Sequence, residues 1–295
     1  MSLPFPSRRV EWRDGRRAGR TPAHVRPFDY LQGVSVKARF GVSRGKALAV
    51  TALAAFLAST VPGSVPALAD GDRVHSEHWG VITRTTVGSP VAALRAGPYG
   101  SAGVLDSSGR PPYGKGSLGI EVADRSTSLT TASERVDFGN EVDFLGDPAL
   151  GLNKVGFHVF QTNANISYGG TKNMPNIRFE INPNLSARPG DNYSALVWVP
   201  DAAPVTNRWS GYIDAATSGY WYLTGGETSC NGPVAHCSLA QVKASLNDGG
   251  AVPAIYSAAV GKGRDHMWMG AVDGLRINQY IYDFEPGGVK TRHAP

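Results

Sequence analysis

Residues 37–70 read KARFGVSRGKALAVTALAAFLASTVPGSVPALAD, and this stretch constrains the chain more than any other. Lys37, Arg39, Arg44 and Lys46 make a positive n-region, residues 47–58 are apolar and uncharged, and Val65-Pro66-Ala67-Leu68-Ala69 ends in an Ala-x-Ala pattern before Asp70. Together these are the three parts of a secretory signal peptide, with cleavage expected after Ala69. The apolar run is too short for a transmembrane helix, which needs about 20 residues. Arg8-Arg9 and Arg16-Arg17 lie too far upstream to act as a twin-arginine signal, so the general secretory route is expected. Residues 1–36 are rich in Arg and Pro and lack apolar periodicity. They read as a disordered extension, or as sequence ahead of a true start at Val34 or Val36.

Export changes the meaning of the composition. Residues 1–46 hold 11 of the 29 Lys and Arg and only 3 of the 24 Asp and Glu, which leaves residues 70–295 with 18 basic and 21 acidic side chains and a net charge of −3. The mature chain carries no basic run, so a nucleic-acid partner is excluded as a reading. It has no second apolar span either, so no transmembrane anchor is expected and the product is secreted, extracellular. Export also makes Cys230 and Cys237 a disulfide pair rather than zinc ligands, because two further ligands at metal spacing are not evident.

Residues 70–78 are polar and read as a flexible N-terminus of the mature chain. From residue 79 onward, β-branched and aromatic runs alternate with Gly, Pro, Asn and Ser clusters. Strands are expected at 79–86, 91–95, 117–123, 155–161, 176–181, 193–199, 208–215, 219–224, 254–260, 266–272, 274–278 and 281–284. Residues 97–116 form a long loop. Residues 135–138 and 142–145 flank Gly139-Asn140, which reads as a hairpin turn. One short helix is expected near 238–248: Ser238 and Gln241 form a capping box, Leu239, Val242 and Leu246 share a face, and Asp248-Gly249-Gly250 stops it. Residues 288–295 read as a polar tail. Many strands and one helix predict an all-β fold, a two-sheet antiparallel β-sandwich over 79–287, rather than a doubly wound α/β fold.

Several strings support that expectation by likeness: 113–118 (YGKGSL), 175–181 (PNIRFEI), 196–200 (LVWVP), 220–224 (YWYLT), 237–243 (CSLAQVK) and 270–278 (GAVDGLRIN), running into 282–286 (YDFEP). Over about 79–289 the chain resembles secreted bacterial proteins whose domain is a jelly roll of the concanavalin A/laminin-G type. The resemblance implies that fold and an extracellular location. It transfers no active-site residue.

The residues themselves point to binding more than to catalysis. Glu141 and Asp143 would share one face of a strand, as the carboxylates of a retaining glycosidase do. The second acid is missing, however: Leu145 and Gly146 stand where it should be, and Asp147 comes too late. A degenerate concanavalin-like hydrolase is therefore the weakest reading. No Gly-x-Ser-x-Gly elbow occurs, and His158, His236 and His266 are scattered. His75 and His78 have a metal-ligand spacing but sit in the flexible N-terminus, so no metal site is assigned there.

Aromatic residues crowd the C-terminal half. Sugar rings stack on such side chains, so Tyr212, Tyr220 and Tyr222 are the candidate ligand contacts, with a glycan or cell-envelope polymer as the partner. In Gly219-Tyr-Trp-Tyr222, alternation must send Tyr220 and Tyr222 to one side of the sheet and Trp221 to the other. An extracellular structural or protein-interaction module is the alternative. No cofactor is expected apart from a structural calcium ion, for which Asp137, Asn140 and Asp143, or Asp273, Asp283 and Glu285, are the candidate ligands.

Overall fold

Apolar residues alternate along 117–123, 155–161 and 176–181, the pattern of strands that bury one face, and two sheets burying such faces against each other satisfy it. That is the architecture of the computed structural model, which describes residues 77–97, 109–123, 134–202, 205–225 and 228–295, apart from the Thr171 side chain. The chain divides into two units, and all described residues belong to the second, Ser64–Pro295. The expected signal peptide and N-terminal extension lie outside the described residues, as does most of 70–78. No helix among the described residues is long and apolar enough to cross a membrane.

Six strands form one sheet, in the order β1 (Trp79–Val81), β4 (Arg135–Asn140), β10 (Ala254–Gly263), β6 (Asn176–Asn182), β7 (Ser194–Val199) and β9 (Tyr220–Leu223). The other sheet has seven. It runs β13 (Gly288–His293), β12 (Tyr280–Glu285), β11 (Trp268–Ile277), β3 (Gly116–Val122) and β2 (Val91–Ala96). Its remaining strands are β5 (Val155–Gln161), which pairs with β11, and β8 (Ile213–Asp214), which pairs with β5. All pairings are antiparallel.

Ile177, Phe179 and Ile181 of β6, with Leu196 and Trp198 of β7, share one buried cluster with Leu118, Ile120 and Val122 of β3 and Val155, Phe157 and Val159 of β5. Each large side chain taken from water there contributes about 1.5–3 kcal/mol. The buried indoles keep their donors satisfied: Trp198 Nε1 donates to the Ser218 carbonyl and Trp221 Nε1 to the Ala215 carbonyl, both at 2.7 Å.

The expected helix is α2 (Leu239–Leu246). The Gln241 amide donates to Ser238 Oγ at 3.2 Å, and the Ser238 amide donates to Gln241 Oε1 at 2.7 Å. Leu239, Val242 and Leu246 are the buried face. Cys230 and Cys237 form the expected disulfide, with Cα atoms 5.8 Å apart. Their carbonyls accept from the Leu223 and Trp221 amides, so the bridged loop is tied to β9.

Several local expectations are corrected. Gly139-Asn140 is not a hairpin turn but the end of β4, and residues 141–147 are the turn. Glycine is needed at 139 because a Cβ there would lie 2.4 Å from the Ala258 carbonyl on the neighbouring strand. Residues 79–86 hold only the short β1 before a 3-10 turn at Thr83–Thr85. Residues 208–215 reduce to β8. The strands expected at 266–272 and 274–278 are one strand, β11, with a register shift between Asp273 and Arg276, where Gly274 has φ +60°. Residues 288–293 are no tail: as β13 they pair with β12 along its whole length. An unforeseen second helix, α1 (Asn163–Gly169), follows β5. Its buried Asn165 exchanges two hydrogen bonds with the Met269 backbone, at 2.8 and 3.0 Å.

Candidate functional site

The outer side of the six-stranded sheet carries two networks of paired charged side chains. Because β6 turns Ile177, Phe179 and Ile181 inward, Asn176, Arg178 and Glu180 face out. Strand β9 turns Trp221 and Leu223 inward, so Tyr220 and Tyr222 face out beside them. Register then sets the rows. Tyr222 pairs with Val197, Val197 with Arg178, Arg178 with Ala259, and Ala259 with Gly139. One row along, Glu180 pairs with Ser257 on one side and Ala195 on the other. On the opposite flank Asn176 pairs with Gly261, and Gly261 with Asp137.

Glu180 is the centre of the acidic end. Its side chain is 2% exposed, yet it accepts four hydrogen bonds. Arg84 grips both carboxylate oxygens, Nη1 on Oε1 at 2.7 Å and Nη2 on Oε2. Tyr193 Oη donates to Oε1 at 2.7 Å and Ser257 Oγ to Oε2 at 2.8 Å. Burial works to raise its pKa, but these bonds and the guanidinium charge outweigh it and hold the carboxyl down at about 2. Arg84 reaches this position from the 3-10 turn after β1, and its Nε also donates to Glu141 at 2.8 Å.

The basic end is built on Asp137, whose side chain is 2% exposed and lies over Gly261. Arg135 Nη2 bonds Asp137 Oδ2, and Arg178 Nε stands 4.0 Å from the same oxygen. Tyr222 borders this end: burial raises its pKa, while the positive charges of Arg178 and Arg135 lower it.

The three tyrosines expected as ligand contacts do not form one platform. Tyr220 and Tyr222 share the outer side of β9, as alternation required. The Tyr220 ring, however, is covered on one face by His236, at a centroid distance of 3.9 Å and an interplanar angle of 8°. Tyr212 lies apart from them, immediately before β8 of the other sheet. Its ring lies over Gly156, where a Cβ would stand 2.6 Å from the phenol oxygen, and it contacts His158 at 5.9 Å between centroids. Tyr212 also borders a cavity of about 390 Å³ lined by Trp198, Asp201, Asp214 and Thr217. His158 turns away from the apolar face of β5. Its Nδ1 contacts the Ser210 carbonyl at 3.1 Å, and burial lowers its pKa.

Glu141 and Asp143 sit in the turn after β4 rather than on a strand. Glu141 is held by Arg84 and Asp143 by His78, at 2.8 Å in each case, so they do not form an opposed acid pair. The candidate calcium ligands are likewise engaged. Asp273 accepts from the Tyr113 and Phe284 amides, Glu285 from the Lys115 amide, and Asp283 from Arg292. Asn140 Oδ1 accepts from the Val142 and Asp143 amides. Among the described residues no group of three or more His, Cys, Asp or Glu side chains is placed to hold a metal ion.

Sequence reasoning missed Arg84, Arg178, Glu180 and Tyr193, and reached Asp137 only as a candidate calcium ligand. The signal for Arg178 and Glu180 was present, since both alternate with three apolar residues in 176–182. Nothing local tied Arg84 or Asp137 to them. No family model, curated protein or solved structure matches the chain.

Proposed function

We propose that the protein is a secreted, non-catalytic β-sandwich that binds a glycan of the cell envelope on the outer side of its six-stranded sheet. The observation that carries this reading is the placement of Tyr220 and Tyr222 together on the outer side of that sheet, with Arg178 in the same row as Tyr222. Aromatic faces receive the C–H surfaces of sugars, and the flanking polar groups bond hydroxyls. The signal-peptide pattern and the resemblance to secreted jelly-roll domains agree with the location. A binding role also suits Glu180. A carboxyl held near pKa 2 stays ionised at neutral pH and has no proton to give a leaving group.

A glycan array probed with the purified protein tests the proposal. The wild-type protein is expected to bind a restricted set of saccharides. Tyr222→Ala should weaken that binding about tenfold, because stacking and hydroxyl bonding are lost together, while its thermal midpoint shows that the fold persists. No saccharide bound above background by the wild-type protein would overturn the proposal in favour of a structural or protein-binding module.

A further inference from the structure

The charges on the outer face of the six-stranded sheet are unevenly matched. At one end Arg84 serves two carboxylates, Glu180 and Glu141. At the other the proportion is reversed: two guanidiniums, Arg135 and Arg178, share the single carboxylate of Asp137. Arg135 takes the hydrogen bond. Arg178 is left at 4.0 Å, its side chain 14% exposed, and no hydrogen bond from its guanidinium ends on a described residue. Its buried Nε is unpartnered, and so is the buried Oδ1 of Asn176 on the same strand. The rest of the guanidinium reaches the surface, so a partly buried cation without a hydrogen-bonded counter-charge is left open to an arriving anion. Lys262 does not compete for such a ligand, because Asp265 already pairs with it.

We infer that the site selects acidic saccharides, with a ligand carboxylate pairing with Arg178 beside the ring of Tyr222. This rests on the glycan reading above and names the substrate class within it. The planar guanidinium fork matches a carboxylate in two-point geometry, and a partly buried location strengthens the pair relative to one in open water. Tyr222 stands two strands away in the same row, across Val197 and so about 10 Å along the sheet, and a sugar ring stacked there can present its acid group to the arginine. The acid surplus at the Glu180 end repels a second carboxylate and fixes the direction in which the ligand lies.

The test is an array on which uronic-acid and sialic-acid saccharides are each printed beside their methyl esters. The acid forms should bind roughly tenfold more tightly than their esters. Raising sodium chloride from about 50 to about 500 mM should erase that margin while leaving ester binding nearly constant. Arg178→Gln should abolish the preference, with Arg178→Lys intermediate because it keeps the charge and loses the fork. Equal binding of acid and ester overturns this inference and leaves the glycan reading standing. Binding of no saccharide on the array overturns both. The salt comparison needs no variant, so a folding defect in either substitution does not blunt the test.

Discussion

Glu180 ties together more of the outer face than any neighbouring side chain. Four donors from three separated parts of the chain converge on it: Arg84, Tyr193 and Ser257. A buried carboxylate of this kind is stabilising only while its partners stay in place, because desolvation penalises it as soon as one leaves. Glu180→Gln keeps the volume but removes the charge that Arg84 and Tyr193 address, and it turns one acceptor oxygen into a donor. We expect a loss of about 2 kcal/mol in unfolding free energy, read from urea denaturation at neutral pH. A loss below about 0.5 kcal/mol would mean that Arg84 and Tyr193 find equivalent partners and that the convergence adds little. The same residue marks how far the site could be read from sequence. That Glu180 and Arg178 point away from the core follows from Ile177, Phe179 and Ile181 alone. That Arg84, 96 positions earlier, meets Glu180 follows only from the order in which β1, β4, β10 and β6 lie side by side.

Strands were legible where alternation was strong and misread where a local turn signal competed with tertiary pairing. Val155, Phe157 and Val159 declared β5, and the Ser238–Gln241 box declared α2. Gly139-Asn140 looked like a turn because Gly and Asn favour turns. In the sheet the glycine instead allows β4 to approach β10 closely, and Asn140 Oδ1 caps the true turn by accepting from the Val142 and Asp143 amides. Residues 288–293, GVKTRH, lack an apolar face and so carry no strand signal of their own. Strand β13 is the edge strand of its sheet, where charged residues are the usual guard against strand addition. Its attachment is more than edge pairing. Arg292 bonds the fully buried Asp283 through Nε at 3.1 Å and Nη2 at 2.6 Å. Arg292→Ala strands that carboxylate, whose Oδ1 already lacks a partner among the described residues. Half of the arginine side chain is exposed, which discounts the cost to about 2–3 kcal/mol. Faster amide exchange across 288–293 should accompany it. Unchanged exchange there with unchanged stability would show that β13 is held by its backbone ladder alone.

Across the whole molecule, two buried carboxyls on opposite sheets pull the pH dependence of stability in opposite directions. Glu180 titrates at about 2 when folded, against an ordinary 4.5. Its stabilising contribution is therefore complete above about pH 4.5 and is lost as pH falls toward 2. Asp273 behaves inversely. It is fully buried, and desolvation outweighs the bonds it accepts from the Phe284, Tyr113 and Gly274 amides, with the nearby Asp283 charge adding to the effect. Its pKa rises from 3.8 to about 7. Between those values the folded chain keeps a proton that the unfolded chain has released, so this contribution is complete below about pH 4 and drains away as pH climbs to 7. The magnitude is roughly 2–4 kcal/mol if no other group compensates. Together the two groups place the stability maximum near pH 4–5, below the neutral range in which most folds are most stable. Urea denaturation from pH 3 to 9 tests this. The wild-type curve should fall between pH 4 and 7, and Asp273→Asn, whatever its absolute stability, should lose that fall and rise slightly toward pH 7, because buried His158, whose pKa is lowered, costs stability as the pH drops. A variant curve that falls in parallel with the wild type would assign the slope to other groups and remove Asp273 as its source.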